Sequence, residues 1–327
     1  MNETKKTVVI GSGSFGTALA AVFAREGEDQ VTLLGRDAAL IETLKKTRIH
    51  ERSLPGVPLP DALIFTNDAE VLRTADTVVV AVPAQAQRAA ARYYGPYYSE
   101  DAVIISASKG IERSTGRLIT DVLNEELPHH SAGALSGPGF ARDLATGKPI
   151  AMALAFRSRQ IARDTAEILS GKTFRIYGSG DPVGVQIGGA LKNVLAIACG
   201  IVEGAGLGES ARAALISRGL AEMSRLAVAM GGEAETVRGL SGLGDLVLTG
   251  SSRQSRNFRY GVQLAEGRTD ENSALVEGVF SASVAAELAA SHSVQMPISN
   301  AVARILDGKL SIPAALEELM ARPITTE

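Results

Sequence analysis

The chain contains no tryptophan, one cysteine and four histidines among its 327 residues, and aromatic residues make up only 4% of it. Each scarcity excludes something. A single cysteine, Cys199, cannot form an intramolecular disulfide. It stands in the apolar run 194–202, where a buried and inert thiol is expected. His50, His129, His130 and His292 form no H-x-x-x-H pair and accompany no cysteine cluster, so no metal site is expected. So few aromatics argue against a stacking platform for single-stranded nucleic acid. An excess of one charge is also lacking. The 33 basic and 36 acidic residues leave a net charge of −3, with no global field to draw nucleic acid or an anionic membrane. No apolar run approaches the length of a membrane span, and residues 7–10 after Lys5 and Lys6 read as a strand, not a signal peptide. No membrane insertion and a cytoplasmic location are the expectations.

What is present is an ordinary globular composition, 45% hydrophobic and 21% charged, at a length that suggests two domains. The first half alternates short apolar runs with helical patterns. Strands are predicted at 7–10, 30–34, 64–66, 77–82, 102–106, 132–135 and 150–155, with helical stretches at 17–25, 38–47, 68–74 and 118–126. Apolar runs without polar alternation belong to strands buried on both faces. Their alternation with helices predicts an α/β architecture, a doubly wound, Rossmann-type parallel sheet. Beyond Asp181-Pro182 the pattern turns helical, at 183–202, 210–230, 234–239, 257–266, 279–290, 298–306 and 313–321. A dinucleotide-binding domain over 1–182 and an all-α substrate domain over 183–327, packed directly around a cleft, are therefore expected.

Gly11-Ser12-Gly13-Ser14-Phe15-Gly16 fits G-x-G-x-x-G and stands between a predicted strand and a predicted helix, the context that a dinucleotide loop requires. Its glycines let the backbone turn sharply and approach a pyrophosphate at the positive end of the helix. The second strand ends in Gly35-Arg36-Asp37. Arg36 offers a planar cation suited to a 2′-phosphate, which favours NADPH, with NADH also accommodated; Asp37 is one place late for a ribose. Later strands end in Val82-Pro83-Ala84, in Ser108-Lys109-Gly110 and in Ser136-Gly137-Pro138-Gly139. Lys109 there is either an ordinary surface lysine or a group reaching an anion or a carbonyl oxygen. In the helical half, Lys192 is a lone cation on a face of glycine, alanine and leucine, where an ammonium is rarely buried without cause. The stretch 239–257 is dense in glycines, hydroxyls and cations. Ser255 is a natural N-cap for the helix after it, and Arg256 beside that helix start suits a phosphate.

Taken in order, these pieces resemble the bacterial-type NAD(P)-dependent glycerol-3-phosphate dehydrogenase family over nearly the whole chain. The resemblance rests on Gly11-x-Gly13-Ser14-Phe15-Gly16-Thr17-Ala18-Leu19-Ala20, Ser108-Lys109-Gly110-Ile111, Leu135-Ser136-Gly137-Pro138-x-Phe140-Ala141, Leu191-Lys192-Asn193, Gly242-x-Gly244-Asp245-Leu246, Ser255-Arg256-Asn257 and Val276-Glu277-Gly278. It implies reduction of dihydroxyacetone phosphate to sn-glycerol 3-phosphate for glycerophospholipid synthesis, by a homodimer. It also implies roles: Lys192 transfers the proton, and Lys109 contacts cofactor and substrate. Gly137, Gly139, Asp245, Ser255, Arg256 and Asn257 hold the substrate. Ser14, Phe15, Arg36, Ala141, Arg256, Leu275 and Glu277 serve the cofactor. The chain departs from the family at Gly139, where a hydroxyl residue is usual. Two other readings share many of these residues: a related reductase of a hydroxy acid or ketopantoate-like substrate, and a catalytically silent NADP sensor. The presence of both Lys192 and Lys109 argues against the sensor.

Overall fold

The computed structural model describes residues 4–26, 30–268 and 276–322. The chain divides into two compact units, one of residues 1–112 with 117–186, the other of 113–116 with 187–327. The chain passes from the first to the second inside one helix, Pro182–Gly204.

The first unit is built on one eight-stranded sheet. Its strands are β1 (Lys6–Ile10), β2 (Gln30–Leu34), β3 (Ile64–Thr66), β4 (Thr77–Val80), β5 (Val103–Ser106), β6 (Ala132–Ser136), β7 (Ile150–Ala155) and β8 (Phe174–Ser179), in the order β3-β2-β1-β4-β5-β6-β7-β8. The first six strands in this order are those of the dinucleotide-binding fold, and the order reverses at β1, between β2 and β4. Alternate residues of one strand feed opposite layers. In β1, Val9 joins the core with helices Ser14–Glu26, Ala38–Thr47 and Arg159–Leu169, while Val8 and Ile10 join the core with Gln87–Tyr94 and Ile119–Glu126. That double burial is why these strands read as continuous apolar runs.

Two features of the sheet differ from the sequence expectation. β6 and β7 pair antiparallel, Leu135 opposite Leu154, so the sheet is not parallel throughout. The connection between them carries one helix of five residues, Ala141–Ala145, rising only about 7.5 Å. That is too short to carry a crossover back along a strand of comparable length. β8 was not anticipated: its residues alternate buried and exposed in Phe174, Arg175, Ile176 and Tyr177, as suits an edge strand with one face in the core.

The second unit is helical, with helices Glu209–Ala229, Ala234–Arg238, Asp245–Gly250, Arg256–Ala265, Glu277–Ser291, Pro297–Leu306 and Ile312–Met320 beside the body of Pro182–Gly204. The long helix is apolar and long enough to cross a membrane by composition, contrary to the expectation that no such run exists. Its apolar window is wholly buried, as in a core helix. Glycines let neighbours approach it closely. A Cβ on Gly200 would collide with the Phe258 carbonyl, and one on Gly261 with the Ile197 carbonyl. Glu222, buried in Glu209–Ala229, accepts from Ile298 N at 2.6 Å and Ser299 N at 3.0 Å, capping Pro297–Leu306 from a distance in sequence. Cys199 is buried as expected, and burial pushes its thiol up to about 12.

Candidate active site

In the first unit the predicted cofactor residues Gly11, Gly13, Ser14, Phe15, Gly16, Arg36, Lys109 and Ala141 lie on segments that follow the carboxyl ends of strands. Gly11 has φ +115°, and a Cβ on it would stand 2.8 Å from the Ala81 oxygen at the end of β4. Gly16 can carry no Cβ either, because one would collide with the Gly11 carbonyl. Both positions therefore demand glycine for close packing of strand, loop and helix. Gly13 differs: a Cβ there would meet nothing within 4 Å. An exposed glycine facing open space at the start of helix Ser14–Glu26 is a cradle that a pyrophosphate fits and a side chain would fill. Ser14 is exposed on the first turn, and Phe15 beside it is half-buried.

Lys109 ties three loops together. Its Nζ donates to the Gly137 carbonyl at 2.8 Å and lies 5.4 Å from the centre of the Phe15 ring. The residues after β1, β5 and β6 thus converge on one cation. Gly137 has φ +156°, and a Cβ on it would press to 2.9 Å against the Met152 Cα. A Cβ on Gly139 would meet the Met152 Cε at 2.6 Å, so in this chain the Met152 side chain fills the space beside that position. Ala141 opens its short helix, half-buried. Arg36 is exposed immediately beyond β2, within electrostatic reach of Tyr94, whose phenol burial pushes up and Arg36 draws back down. Asp37 caps helix Ala38–Thr47, its Oδ1 accepting from Leu40 N at 3.1 Å. That carboxylate is engaged in the helix, and Arg36 is the group left facing outward.

In the second unit a different constellation forms. Lys192 is 5% exposed and Asp245 1%, and Nζ stands 3.1 Å from Oδ1. The lone cation of the sequence is therefore one half of a buried ion pair, which compensates a charge that burial would otherwise penalise by several kcal/mol. Asp245 opens helix Asp245–Gly250, directly after the π-helical turn Leu240–Gly244. The turn reaches the long helix through glycines: a Cβ on Gly188 would stand 2.9 Å from Gly242 N.

Asn193, the residue after Lys192, belongs to a second set of hydrogen bonds. Its Oδ1 accepts from Asn257 Nδ2 at 2.8 Å, and its Nδ2 donates to Glu277 Oε2 at 3.4 Å. Asn257 Oδ1 accepts from Gly278 N at 3.0 Å, fixing the start of helix Glu277–Ser291. Ser255 is the N-cap of Arg256–Ala265, its Oγ accepting from Phe258 N at 3.3 Å. Arg256 stands exposed on the first turn of that helix, between buried Ser255 and Asn257. Leu275, which the resemblance placed at the cofactor, lies outside the described residues.

Two participants were not singled out from the sequence. Asn193, named only as part of the Leu191-Lys192-Asn193 motif, hydrogen-bonds Asn257 and Glu277; an amide next to the lone lysine on an apolar helix was the available signal. Thr249 is 5% exposed and donates its hydroxyl to the Asp245 carbonyl, one helical turn back. The polar density of 239–257 concealed that this residue sits in a helix.

A glycine-built cradle at the reversal point of a doubly wound sheet and a buried lysine–carboxylate pair in a helical unit define an NAD(P)-dependent oxidoreductase. The comparisons with known proteins agree throughout the chain. Residues 6–162 match the model of the NAD-dependent glycerol-3-phosphate dehydrogenase N-terminus, and residues 181–317 that of its C-terminus. The chain is 59% identical over 326 residues to glycerol-3-phosphate dehydrogenase [NAD(P)+] of Agrobacterium fabrum, covering 99% of this chain and 100% of that one. It is 60% identical, with the same coverage, to the protein of that name from Rhizobium johnstonii. The crystal structure of glycerol-3-phosphate dehydrogenase from Coxiella burnetii aligns with TM-score 0.90 at 36% identity, over 98% of this chain and 99% of that one. A ketopantoate reductase from Ralstonia eutropha, at 16% identity and TM-score 0.59, shares the fold alone. The chain belongs to the NAD-dependent glycerol-3-phosphate dehydrogenase family.

Proposed function

We propose that this chain catalyses the reversible, NAD(P)H-dependent reduction of dihydroxyacetone phosphate to sn-glycerol 3-phosphate, supplying glycerophospholipid synthesis in the cytoplasm. The observation that carries the reading is the buried Lys192–Asp245 pair, set beside a capped helix start that bears Arg256. Residues 1–182 act as the dinucleotide-binding domain and 183–327 as the substrate domain.

The bound dinucleotide supplies the hydride. Gly11, Gly13, Gly16, Ser14 and Phe15 would hold it at the loop after β1, and Arg36 would serve a 2′-phosphate, which favours NADPH while NADH is also accommodated. Ala141 and Lys109 line the same end of the sheet, and Lys109 also serves the substrate, with Gly137 and the backbone of Gly139. Arg256 and the amides at its helix start hold the substrate phosphate, with Ser255 and Asn257 keeping that helix start in place. By the family resemblance Glu277 and Leu275 would serve the cofactor, and Arg256 both cofactor and substrate. As the C2 carbonyl is reduced, negative charge grows on its oxygen; the Lys192 ammonium stabilises that charge and then donates its proton. Asp245 orients the ammonium and compensates it while it waits.

The family resemblance implies a homodimer. Sedimentation of the purified protein at a dimer's mass is the expected result, and a monomer at all concentrations would remove this part of the reading.

The function is tested by absorbance at 340 nm with NADPH and dihydroxyacetone phosphate. Loss of absorbance with formation of glycerol 3-phosphate is expected. Cofactor binding without turnover would instead indicate a sensor, and turnover only with a 2-keto acid would indicate a carboxylate-specific reductase.

A further inference from the structure

The loop after β1 owes part of its shape to a residue far outside it. His50 follows helix Ala38–Thr47, is 2% exposed, and places Nε2 2.9 Å from the Ser12 carbonyl oxygen. A carbonyl oxygen can only accept, so Nε2 carries the proton and donates. The other ring nitrogen, Nδ1, is buried with no hydrogen-bond partner among the described residues. The ring's polar engagement is thus directed at one atom of the glycine loop. Ser12 is also packed from the side of β2: a Cβ on Gly35 would stand 3.0 Å from the Ser12 Oγ.

The consequence follows from peptide geometry. The Ser12–Gly13 peptide is trans, so its C=O and N–H point in opposite directions. With the oxygen held toward His50, the Gly13 N–H is turned away from it. The next peptide is held too, because the Gly13 carbonyl accepts from Thr17 N at 2.9 Å in the first turn of Ser14–Glu26. Gly13 is therefore fixed on both sides, at the one glycine of the motif whose α-carbon faces open space.

We propose that His50 is a positioning residue for the nicotinamide dinucleotide: by holding the Ser12 carbonyl it presents the Gly13 amide to the pyrophosphate. The inference rests on the reading of residues 11–16 as the phosphate-binding loop. His50 itself touches no reacting atom. Its effect is confined to the part of the ligand that carries the diphosphate, and the adenosine end at Arg36 does not depend on it.

The test is calorimetric affinity for two probes, NADPH and adenosine 2′-monophosphate, which keeps the 2′-phosphate and lacks the diphosphate. Thermal melts accompany each variant. His50→Leu removes the donor and is expected to weaken NADPH by roughly 2- to 12-fold, the effect of one net hydrogen bond, with adenosine 2′-monophosphate unchanged. His50→Gln carries an amide nitrogen at the position of Nε2 and is expected to restore NADPH affinity. If His50→Leu does not fold, His50→Asn serves in its place, since its amide falls at the Nδ1 position and should not rescue. Gly13→Ala, which fills the open space directly, is expected to weaken NADPH more than either. Should Gly13→Ala leave NADPH affinity intact, the loop is not the phosphate site and the parent reading fails with the proposal. Should Gly13→Ala weaken NADPH while His50→Leu does not, the His50 proposal alone is overturned. The same holds if His50→Leu weakens both probes alike, or if His50→Gln binds no better than His50→Leu.

Discussion

Between Gly11 and Gly16 a side chain has to be missing, whereas around Lys192 side chains have to be present. The first constellation is backbone: two glycines that tolerate no Cβ, a third with open space before it, and the start of a helix. Such a site binds by amides and dipole, and its residues are contiguous because one turn of chain supplies them all. The second is built from Lys192, Asn193, Asp245, Asn257 and Glu277, drawn from four helices and spread over 86 residues of sequence. There the backbone contributes closeness, through Gly188 and Gly242, and the chemistry lies in the side chains. A backbone site suits a ligand that is bound the same way in every turnover. A proton-transferring site needs an ionisable group held in a defined place.

That difference can be broken or sharpened by substitution. The largest effect is expected at Lys192. Lys192→Met should lower kcat by about 10²–10⁴-fold at saturating NADPH, because the proton donor is lost. It should also lower stability, because the buried ion pair between Lys192 and Asp245 is lost. Lys192→Arg should restore stability in part and turnover hardly at all, since a guanidinium does not give up its proton. A Lys192→Met enzyme with near wild-type kcat would move the acid role to Lys109.

At the backbone-built site the exposed charge matters for one cofactor only. Arg36→Ala should weaken NADPH binding by roughly 10- to 150-fold, as a hydrogen bond to a charged group is worth about 1.5–3 kcal/mol. NADH, which lacks the 2′-phosphate, should bind nearly as before; equal losses for both would refute the assignment.

A smaller effect is expected where the side-chain network meets the backbone. Asn257→Ala strips the acceptor from the buried Gly278 N–H. Denaturant titration should show a loss of about 1–3 kcal/mol for the group left unsatisfied. A change below about 0.5 kcal/mol would mean that the network closes by another route.

The smallest effect is at Cys199. Only the thiolate reacts with alkylating agents, and burial holds this thiol up to about 12. Native protein at about pH 8 should resist iodoacetamide, with modification appearing only on unfolding. Ready labelling of folded protein, followed by mass spectrometry, would contradict the burial of this helix.

Legibility in the sequence follows the same division. The strand–glycine–helix unit was readable because its signal is local: apolar run, spaced glycines, Ser14 onward helical. The capping role of Ser255 was readable for the same reason. The partner of Lys192 was not, because nothing in the intervening chain announces that Asp245, 53 positions on, returns to it. The antiparallel β6–β7 pair escaped notice because apolar runs look alike in either direction, and only the five-residue helix between them betrays it. Helix Gln87–Tyr94 went unread because it follows a proline-containing strand end and spans only eight residues. Helix Asp245–Gly250 was masked by the glycines and hydroxyls around it. The double burial that turns strands into plain apolar runs also made helix Pro182–Gly204 long and apolar enough to resemble a membrane span.

The central claim is that a phosphorylated ketone, held through its phosphate near Arg256, is reduced by a nicotinamide cofactor. It is tested most directly by kcat/KM for dihydroxyacetone phosphate against dihydroxyacetone at saturating NADPH, in wild type and Arg256→Ala. The account predicts that wild type prefers the phosphorylated substrate by well over tenfold. It predicts that Arg256→Ala loses at least about tenfold on that substrate, and that the unphosphorylated one is hardly affected. Equal wild-type rates on the two substrates, or an equal loss on both in Arg256→Ala, would contradict it.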